Sequence, residues 1–355
     1  MKHLLAQLAG GQPLSTEQAV EAFELIMTGR STPAQTAALL GLVQLRGPTV
    51  DEIAGAATVM RRKARPVKVP PGLTAIDIVG TGGDYAQTFN ISTAAALVAA
   101  AAARSHGVAV AKHGNRSVTS KSGSSQVLEA LGVKIHVKDD TLTRCLDQAG
   151  LCFCFAPAHH PAMKYAAPVR AELGFRTIFN ILGPLTNPAG ARRQVIGVFS
   201  AELTETIATV LSRLGCDHAM VVHGTLPGVD TAGGGGLDEL STCGPNQVSH
   251  VRGDIVRSEQ LDPAALDLPY AHPGSLRVDS PDASAAIIRS ILDGQRGPPR
   301  DIVCLNAAAA LVVADLVKDL AGGLEMAGDV IDSGAAKDVL TKLVTLTQAD
   351  PTPAT

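Results

Sequence analysis

Gly80-Thr81-Gly82-Gly83-Asp84-Tyr85-Ala86-Gln87-Thr88-Phe89-Asn90-Ile91-Ser92-Thr93 joins a short apolar alternation, Ala75-Ile76-Asp77-Ile78-Val79, to an alanine-rich run, Ala94 to Ala103. The order reads as strand, glycine turn, helix. Three glycines within four residues free the backbone for positive φ and let a ligand approach closely. Asn90, Ser92 and Thr93 open the helix, whose unpaired N–H groups and positive dipole end face outward. Such a junction suits an anion, most often phosphate. The spacing is neither G-x-G-x-x-G nor G-x-x-x-x-G-K-[ST]. Asp84 sets the loop apart, because a carboxylate beside phosphates repels them unless a metal or a ribose hydroxyl intervenes. The stretch points to a phosphorylated sugar with Mg²⁺; a tight turn that binds nothing is the alternative.

Outward from this junction, strands and helices alternate from Leu73 onward, which predicts a largely parallel sheet covered on both faces. Strands are expected near 75–79, 108–112, 151–155, 195–199 and 219–223. Helices are expected near 92–104, 124–132, 139–149, 202–215, 283–294 and 301–321, with closing helices around 323–346. Before the Pro70-Pro71-Gly72 linker the chain reads as helices only. Ser15 with Gln18, Thr32 with Pro33 and Gln35, and Thr49 with Glu52 each look like a helix start. The fold class is therefore α/β, with a small all-helical domain over 1–69 and a large α/β domain over 73–355. Leu39, Leu40, Leu42, Val43 and Leu45 make the second of the marked helices apolar on more than one face, which fits a buried central helix or an exposed dimer face.

The 355 residues suffice for a large core; 46% are hydrophobic, 18% are charged and the net charge is −3. With no long basic run, nothing favours nucleic acid or an anionic membrane. No apolar run is long enough to span a bilayer, and the first residues do not read as a signal peptide. The six cysteines (145, 152, 154, 216, 243, 304) form no C-x-x-C pair and read as buried free thiols in a reducing cytoplasm.

In parallel sheets ligands collect at the carboxyl ends of strands, so the loops there carry the search. After the second expected strand, Lys112-His113-Gly114-Asn115-Arg116-Ser117-Val118-Thr119-Ser120-Lys121-Ser122-Gly123-Ser124 offers cations and small donors, a second anion cradle or a solvated basic loop. After the third come His159 and His160, neighbours that make a poor metal pair, one of them suited to lining a site. Arg170 can grip a carboxylate through two parallel hydrogen bonds or serve an ordinary salt bridge. Asn180 to Pro188 reads as a structural crossover. After the fifth, the glycine-rich loop Gly224 to Gly236 leads to Asp238-Glu239, adjacent carboxylates that suit Mg²⁺ or a solvated turn.

Taken together, GTGGD (80–84), TFNIST (88–93), KHGNRSVTSKSGS (112–124), HPAMK (160–164), PVRAELGFRTIFNILGPLTNP (168–188) and GLDE (236–239) make the chain resemble the anthranilate phosphoribosyltransferase family. The resemblance implies a helical domain, joined by a segment around 165–188, beside an α/β domain of the nucleoside-phosphorylase-like kind. It also implies a homodimer formed through the helical domains, with no nucleic-acid or membrane partner. Transfer of the phosphoribosyl group from phosphoribosyl pyrophosphate (PRPP) to anthranilate in tryptophan biosynthesis, with Mg²⁺, is the implied activity. Gly80, Gly83, Asp84, Thr88, Asn90, Ile91, Ser92, Thr93, Lys112, Ser120 and Ser124 match the PRPP positions. Gly80, Asn115 and Arg170 match the anthranilate contacts, and His113 and His159 are expected to line the acceptor channel. Ser92, Asp238 and Glu239 match the metal positions. No side chain is expected to act as a catalytic acid or base; Lys112 and Arg170 contribute by position and charge.

Three departures stand out. The loop Thr225 to Gly235 is longer than is usual in that family and includes Asp230, a competing metal ligand. Tyr85 stands where a glycine is frequent, and Thr119 replaces a common serine. The rival readings are a pyrimidine nucleoside phosphorylase and a catalytically silent paralogue that binds nucleic acid.

Overall fold

A computed structural model describes residues 1–116, 123–228 and 236–352. The chain opens with four helices, α1 (Lys2–Ala9), α2 (Thr16–Met27), α3 (Pro33–Arg46) and α4 (Val50–Lys63). The capping boxes at Ser15, Thr32 and Thr49 are all formed, each satisfying backbone N–H groups at a helix start. α1 has no side-chain cap, so no start signal marks it. α2 and α4 approach so closely that a Cβ on Gly55 would meet that of Ala19 at 2.6 Å. On α3, Leu39, Leu40 and Val43 are buried whereas Leu45 is 88% exposed, so the helix is part core and part open face.

The remainder runs β1 (Thr74–Gly80), α5 (Ile91–Ala103), β2 (Val108–Gly114), α6 (Ser124–Ala130), α7 (Asp139–Ala149), β3 (Leu151–Phe155), α8 (Ala156–His159), α9 (Ala167–Leu173) and α10 (Phe179–Leu182). It continues through β4 (Arg193–Gly197), α11 (Leu203–Arg213), β5 (His218–Gly224), β6 (Asn246–Arg252), β7 (Ile255–Leu261), α12 (Pro281–Leu292), α13 (Pro298–Val313), α14 (Leu320–Asp332) and α15 (Ala335–Gln348). The seven strands form one sheet in the order β3-β2-β1-β4-β5-β6-β7. β1 to β5 run parallel, while β6 and β7 are antiparallel additions. From β1 the chain moves outward to β2 and β3 and then returns to β4 on the other side. The crevice at the carboxyl ends of β1 and β4 is thus the topological switch point, where ligands bind in such sheets. Gly80 and Gly197, the last residues of these strands, are register partners.

The structure departs from the sequence expectations in three places. β4 lies two residues earlier than 195–199, and β6 with β7 form a hairpin absent from the expected strands. A single helix over 301–321 is instead α13 and α14. Between them Asp315 adopts φ 58° and pairs with Arg193 of β4, with His218 of β5 at 3.1 Å and with Arg252 of β6 at 2.7 Å. Asp319 then caps α14 by accepting the Gly322 N–H. These contacts outweigh the helix propensity of the alanine-rich run before them.

α5 is buried along almost its whole length against α13, α14 and α15. Small residues allow this: Ala94–Ala96 and Ala99–Ala100 on α5 and Ala307–Ala310 on α13 are all buried, and a Cβ on Gly323 would meet Ala308 at 2.7 Å. Arg61 of α4 spans to the α/β layers, donating to the carbonyls of Leu185 at 2.7 Å and Leu214 at 3.2 Å. All six cysteines are buried and free. Among the described residues, no helix is long and apolar enough to cross a membrane.

One buried charge ties the helical segment together. Glu52, 1% exposed, accepts the N–H groups of Leu14 at 3.0 Å and Thr49 at 2.9 Å and pairs with Arg46. Burial pushes this carboxyl up, but Arg46 and the two N–H groups outweigh it and hold it below the ordinary glutamate range. Between the folded value and about 4.3 the unfolded chain binds the proton and the folded one does not, so stability falls as pH drops through that window. Glu52→Gln is expected to cost about 2 kcal/mol at pH 7, and the difference from wild type should shrink as pH falls below about 4. Urea unfolding at both pH values measures this.

Candidate active site

Three strand ends are bare because they end in glycine, and one acidic segment lies on them. A Cβ on Gly80 would sit 2.2 Å from Oδ2 of Asp238, one on Gly197 would sit 1.5 Å from the Asp238 carbonyl oxygen, and one on Gly224 would sit 2.6 Å from that of Glu239. Leu237 is held to the end of β5 by paired backbone bonds with Gly224 of 2.8 and 2.9 Å. The carboxylates that follow are thereby delivered to the switch point.

There they meet the glycine turn and the start of α5. The Gly82 N–H donates to Asp238 Oδ2 at 2.6 Å and the Ser92 N–H donates to Glu239 Oε1 at 3.1 Å. Asp84 turns inward, accepting the Ala86 N–H at 3.2 Å. Asn90 caps α5 by accepting the Thr93 N–H at 3.0 Å. From β2, Lys112 reaches through the core to donate to the Ile78 carbonyl at 2.8 Å and to Ser92 Oγ at 2.9 Å. Burial raises all three carboxyls: Asp84 well above its ordinary range with Asp238 adding to it, Asp238 with Glu239 adding, and Glu239 to about 7 despite Lys112. Burial lowers the Lys112 ammonium, which Asp77, Glu239 and Asp238 oppose.

Three half-buried carboxylates with one buried lysine lack positive charge, and their donors are all oxygen. Asp84, Asp238, Glu239 and Ser92 Oγ therefore fit a hard divalent cation. Among the described residues no three such groups already close a cage. Mg²⁺ needs no such cage, because it retains waters and takes only one or two carboxylates together with substrate oxygens.

The crevice opens into a cleft of about 700 Å³. Its second wall comes from α4 and from the chain between α8 and the turn after α10, including Met60, Pro157, Met163, Phe179 and Pro184. Arg170, in the last turn of α9, lies on this wall with its guanidinium carbon 5.3 Å from the centre of the Phe179 ring. Burial lowers its pKa, and it makes no ion pair or side-chain hydrogen bond among the described residues. A half-buried cation with no carboxylate beside it is prepared for an anion. His113 is 3.2 Å from the Gly183 carbonyl through Nδ1 and 3.2 Å from Nε2 of His160 through Nε2. Burial, with the neighbouring histidines, takes His113 down to about 3 and His160 to about 4, so both rings are neutral at pH 7.

Of the residues expected at the site, Gly80, Gly83, Asp84, Thr88, Asn90, Ile91, Ser92, Lys112, His113, Asn115, Ser124, Arg170, Asp238 and Glu239 all line this cleft. Two do not. Thr93 is 1% exposed with its hydroxyl unpartnered beneath the helix start. His159 points away, its Nδ1 3.0 Å from the Arg65 carbonyl, and His160 lines the cleft in its place. The turn after β3 decides between the adjacent histidines, and sequence alone does not fix it. Ser120 and Asp230 lie outside the described residues. Asn180, Gly183 and Pro184 of the crossover border the cleft. Arg176, within the 168–188 motif, and Tyr85, within the 80–93 stretch, are further lining residues to which the sequence reading gave no role.

A model of the glycosyl transferase family helical bundle domain matches residues 2–64, and one of the glycosyl transferase family a/b domain matches residues 72–337. The chain is 51% identical over 346 residues to an anthranilate phosphoribosyltransferase of Rhodospirillum rubrum, covering 98% of this chain and 95% of that protein. Its fold is similar to the crystal structure of anthranilate phosphoribosyltransferase from Thermus thermophilus, with TM-score 0.87, 41% identity and coverage of 98% and 99%. The Saccharomyces cerevisiae anthranilate phosphoribosyltransferase in complex with PRPP and Mg gives TM-score 0.85 at 25% identity, covering 98% and 97%.

The crowding around Asp238 yields a test of the cation fit. Magnesium chloride at about ten times its Kd should raise the thermal midpoint of the wild-type protein by roughly one to three degrees. In Gly197→Ala the added methyl displaces the acidic segment, and differential scanning fluorimetry should record no magnesium-dependent rise. An equal rise in both proteins would contradict the assignment.

Proposed function

The chain belongs to the anthranilate phosphoribosyltransferase family, and from that premise we propose that PRPP lies along Gly80–Phe89 and the start of α5 while Arg170 holds anthranilate. The reaction transfers the 5-phosphoribosyl group of PRPP to the amine of anthranilate, giving N-(5-phosphoribosyl)anthranilate and pyrophosphate, a step of tryptophan biosynthesis. The observation that carries the proposed placement is the junction of β1 and α5, where N–H groups, Lys112 and the acidic segment converge.

The chemistry is displacement at C1 of the ribose. An aromatic amine is neutral at physiological pH and attacks through its own lone pair, so positioning does most of the work. Lys112, fixed by Ile78 and Ser92, presents a point charge to the leaving pyrophosphate, and the N–H groups opening α5 add their dipole. Ser92, Asp238 and Glu239, with Asp84 beside them, would hold Mg²⁺, which would supply positive charge toward the leaving pyrophosphate. Arg170 grips the anthranilate carboxylate, while Asn115 and the neutral His113 line the path of the ring. Gly80 touches both substrates, and Gly83, Thr88, Asn90, Ile91 and Ser124 complete the donor's surroundings.

We further propose that residues 1–69, with the segment around 165–188, form the small domain and mediate a homodimer; the exposed Leu45, Tyr165 and Phe175 support this. Six free buried thiols agree with a cytoplasmic, reducing setting.

Decay of anthranilate fluorescence that requires both PRPP and Mg²⁺ is the direct assay. Arg170→Ala should raise the KM for anthranilate about tenfold to a hundredfold, with a much smaller change in the KM for PRPP. An unchanged anthranilate KM would remove Arg170 from its proposed role.

A further inference from the structure

The donor loop is secured at its two ends. Gly82 is bound to Asp238 at 2.6 Å, and Gln87 and Phe89 form backbone bonds of 2.9 Å with Val278 and Leu276. Between these anchors the backbone is strained: Tyr85 and Gln87 adopt φ of 56° and 55°, the left-handed region that L side chains avoid. Tyr85 carries a bulky ring there and is still 48% exposed, so burial does not offset the strain.

The ring meets Arg176 instead. This guanidinium donates to the Gly83 carbonyl, and its carbon lies 5.4 Å from the Tyr85 ring centre and 4.3 Å from that of Phe199. Gly83 lies against the same side chain, since a Cβ there would be 3.5 Å from Arg176 Nε. Arg176 has no carboxylate partner among the described residues, so its contacts with the loop and the two rings account for its placement. A planar guanidinium suits this role, because it can stack on aromatic faces and donate in its own plane at once.

We propose that Arg176, in contact with Tyr85 and Phe199 and bonded to the Gly83 carbonyl, is a positioning residue that holds the donor loop in its phosphate-receiving shape before substrate arrives. The latch reaches across the cleft, because Arg176 follows α9, which carries Arg170. This inference rests on reading Gly80–Phe89 as the PRPP cradle. Wild-type turnover tests that reading separately, and loop exchange in ligand-free protein tests the latch whatever the substrate.

The experiment compares Tyr85→Gly, Phe199→Leu, Arg176→Lys and Arg176→Met with wild type. Hydrogen exchange of amides 81–88 is measured in the ligand-free proteins, and steady-state kinetics are measured with each substrate varied. In Tyr85→Gly and Phe199→Leu the KM for PRPP should rise about fivefold, and exchange of the loop should accelerate by a similar factor. kcat and the anthranilate KM should stay within about twofold. Arg176→Lys should stay well short of wild type, because an ammonium can lie over one ring but cannot stack on two faces while donating in its own plane. Unchanged PRPP KM and loop exchange in both aromatic variants would overturn the latch. Rescue by lysine would also overturn it, showing that Arg176 acts only as a charge on the donor phosphates.

Discussion

The absence of side chains at the ends of β1, β4 and β5 is the condition on which the site depends. With any Cβ at Gly80, Gly197 or Gly224, the segment holding Asp238 and Glu239 could not rest on the rim of the sheet. The same seat leaves these carboxylates half-buried. Their ionisation is then disfavoured by burial and by one another, and the shortfall in positive charge makes the crevice receptive to a cation and to a polyanionic substrate together. Lys112 covers only part of that shortfall, because its own charge is also desolvated.

Beneath the crevice a second buried polar group fixes the two walls to each other. Asp77 on β1 accepts Asn187 Nδ2 at 2.7 Å and the His113 N–H at 3.1 Å, and Asn187 also donates to the Ala111 carbonyl at 2.7 Å. Burial raises this carboxyl to about 6 against those bonds. The arrangement joins β1, β2 and the chain after α10, so the strand bearing Lys112 and the turn bearing Gly183 share one anchor. Buried polar groups in this position are costly if left unpaired, which favours a single packing of the walls.

Much of this was legible in the sequence because the informative residues are local. Capping boxes, the glycine turn and the parallel-strand pattern each need only a few neighbouring positions to be read, and the strand-loop-helix order brought most of the expected residues into one cleft. What was not legible depends on long-range contacts. β6 and β7 are polar enough to read as loop: β7 is an edge strand with Arg257 and Glu259 exposed, which protects the edge and hides the signal. The break after α13 depends on Arg193, His218 and Arg252, which come from three different strands. The choice of His160 over His159 depends on the turn after β3 and on the Arg65 carbonyl, which is remote in sequence.

The methyl-lined contact between α5 and α13 has a mechanical consequence. Alanine has no side-chain rotamers to rearrange, and close-packed interiors yield little under load. The end of α5 that faces the crevice is therefore a fixed datum with almost no travel along its axis. The Ser92 and Glu239 contact made at that end is therefore held to one position by the packing behind it.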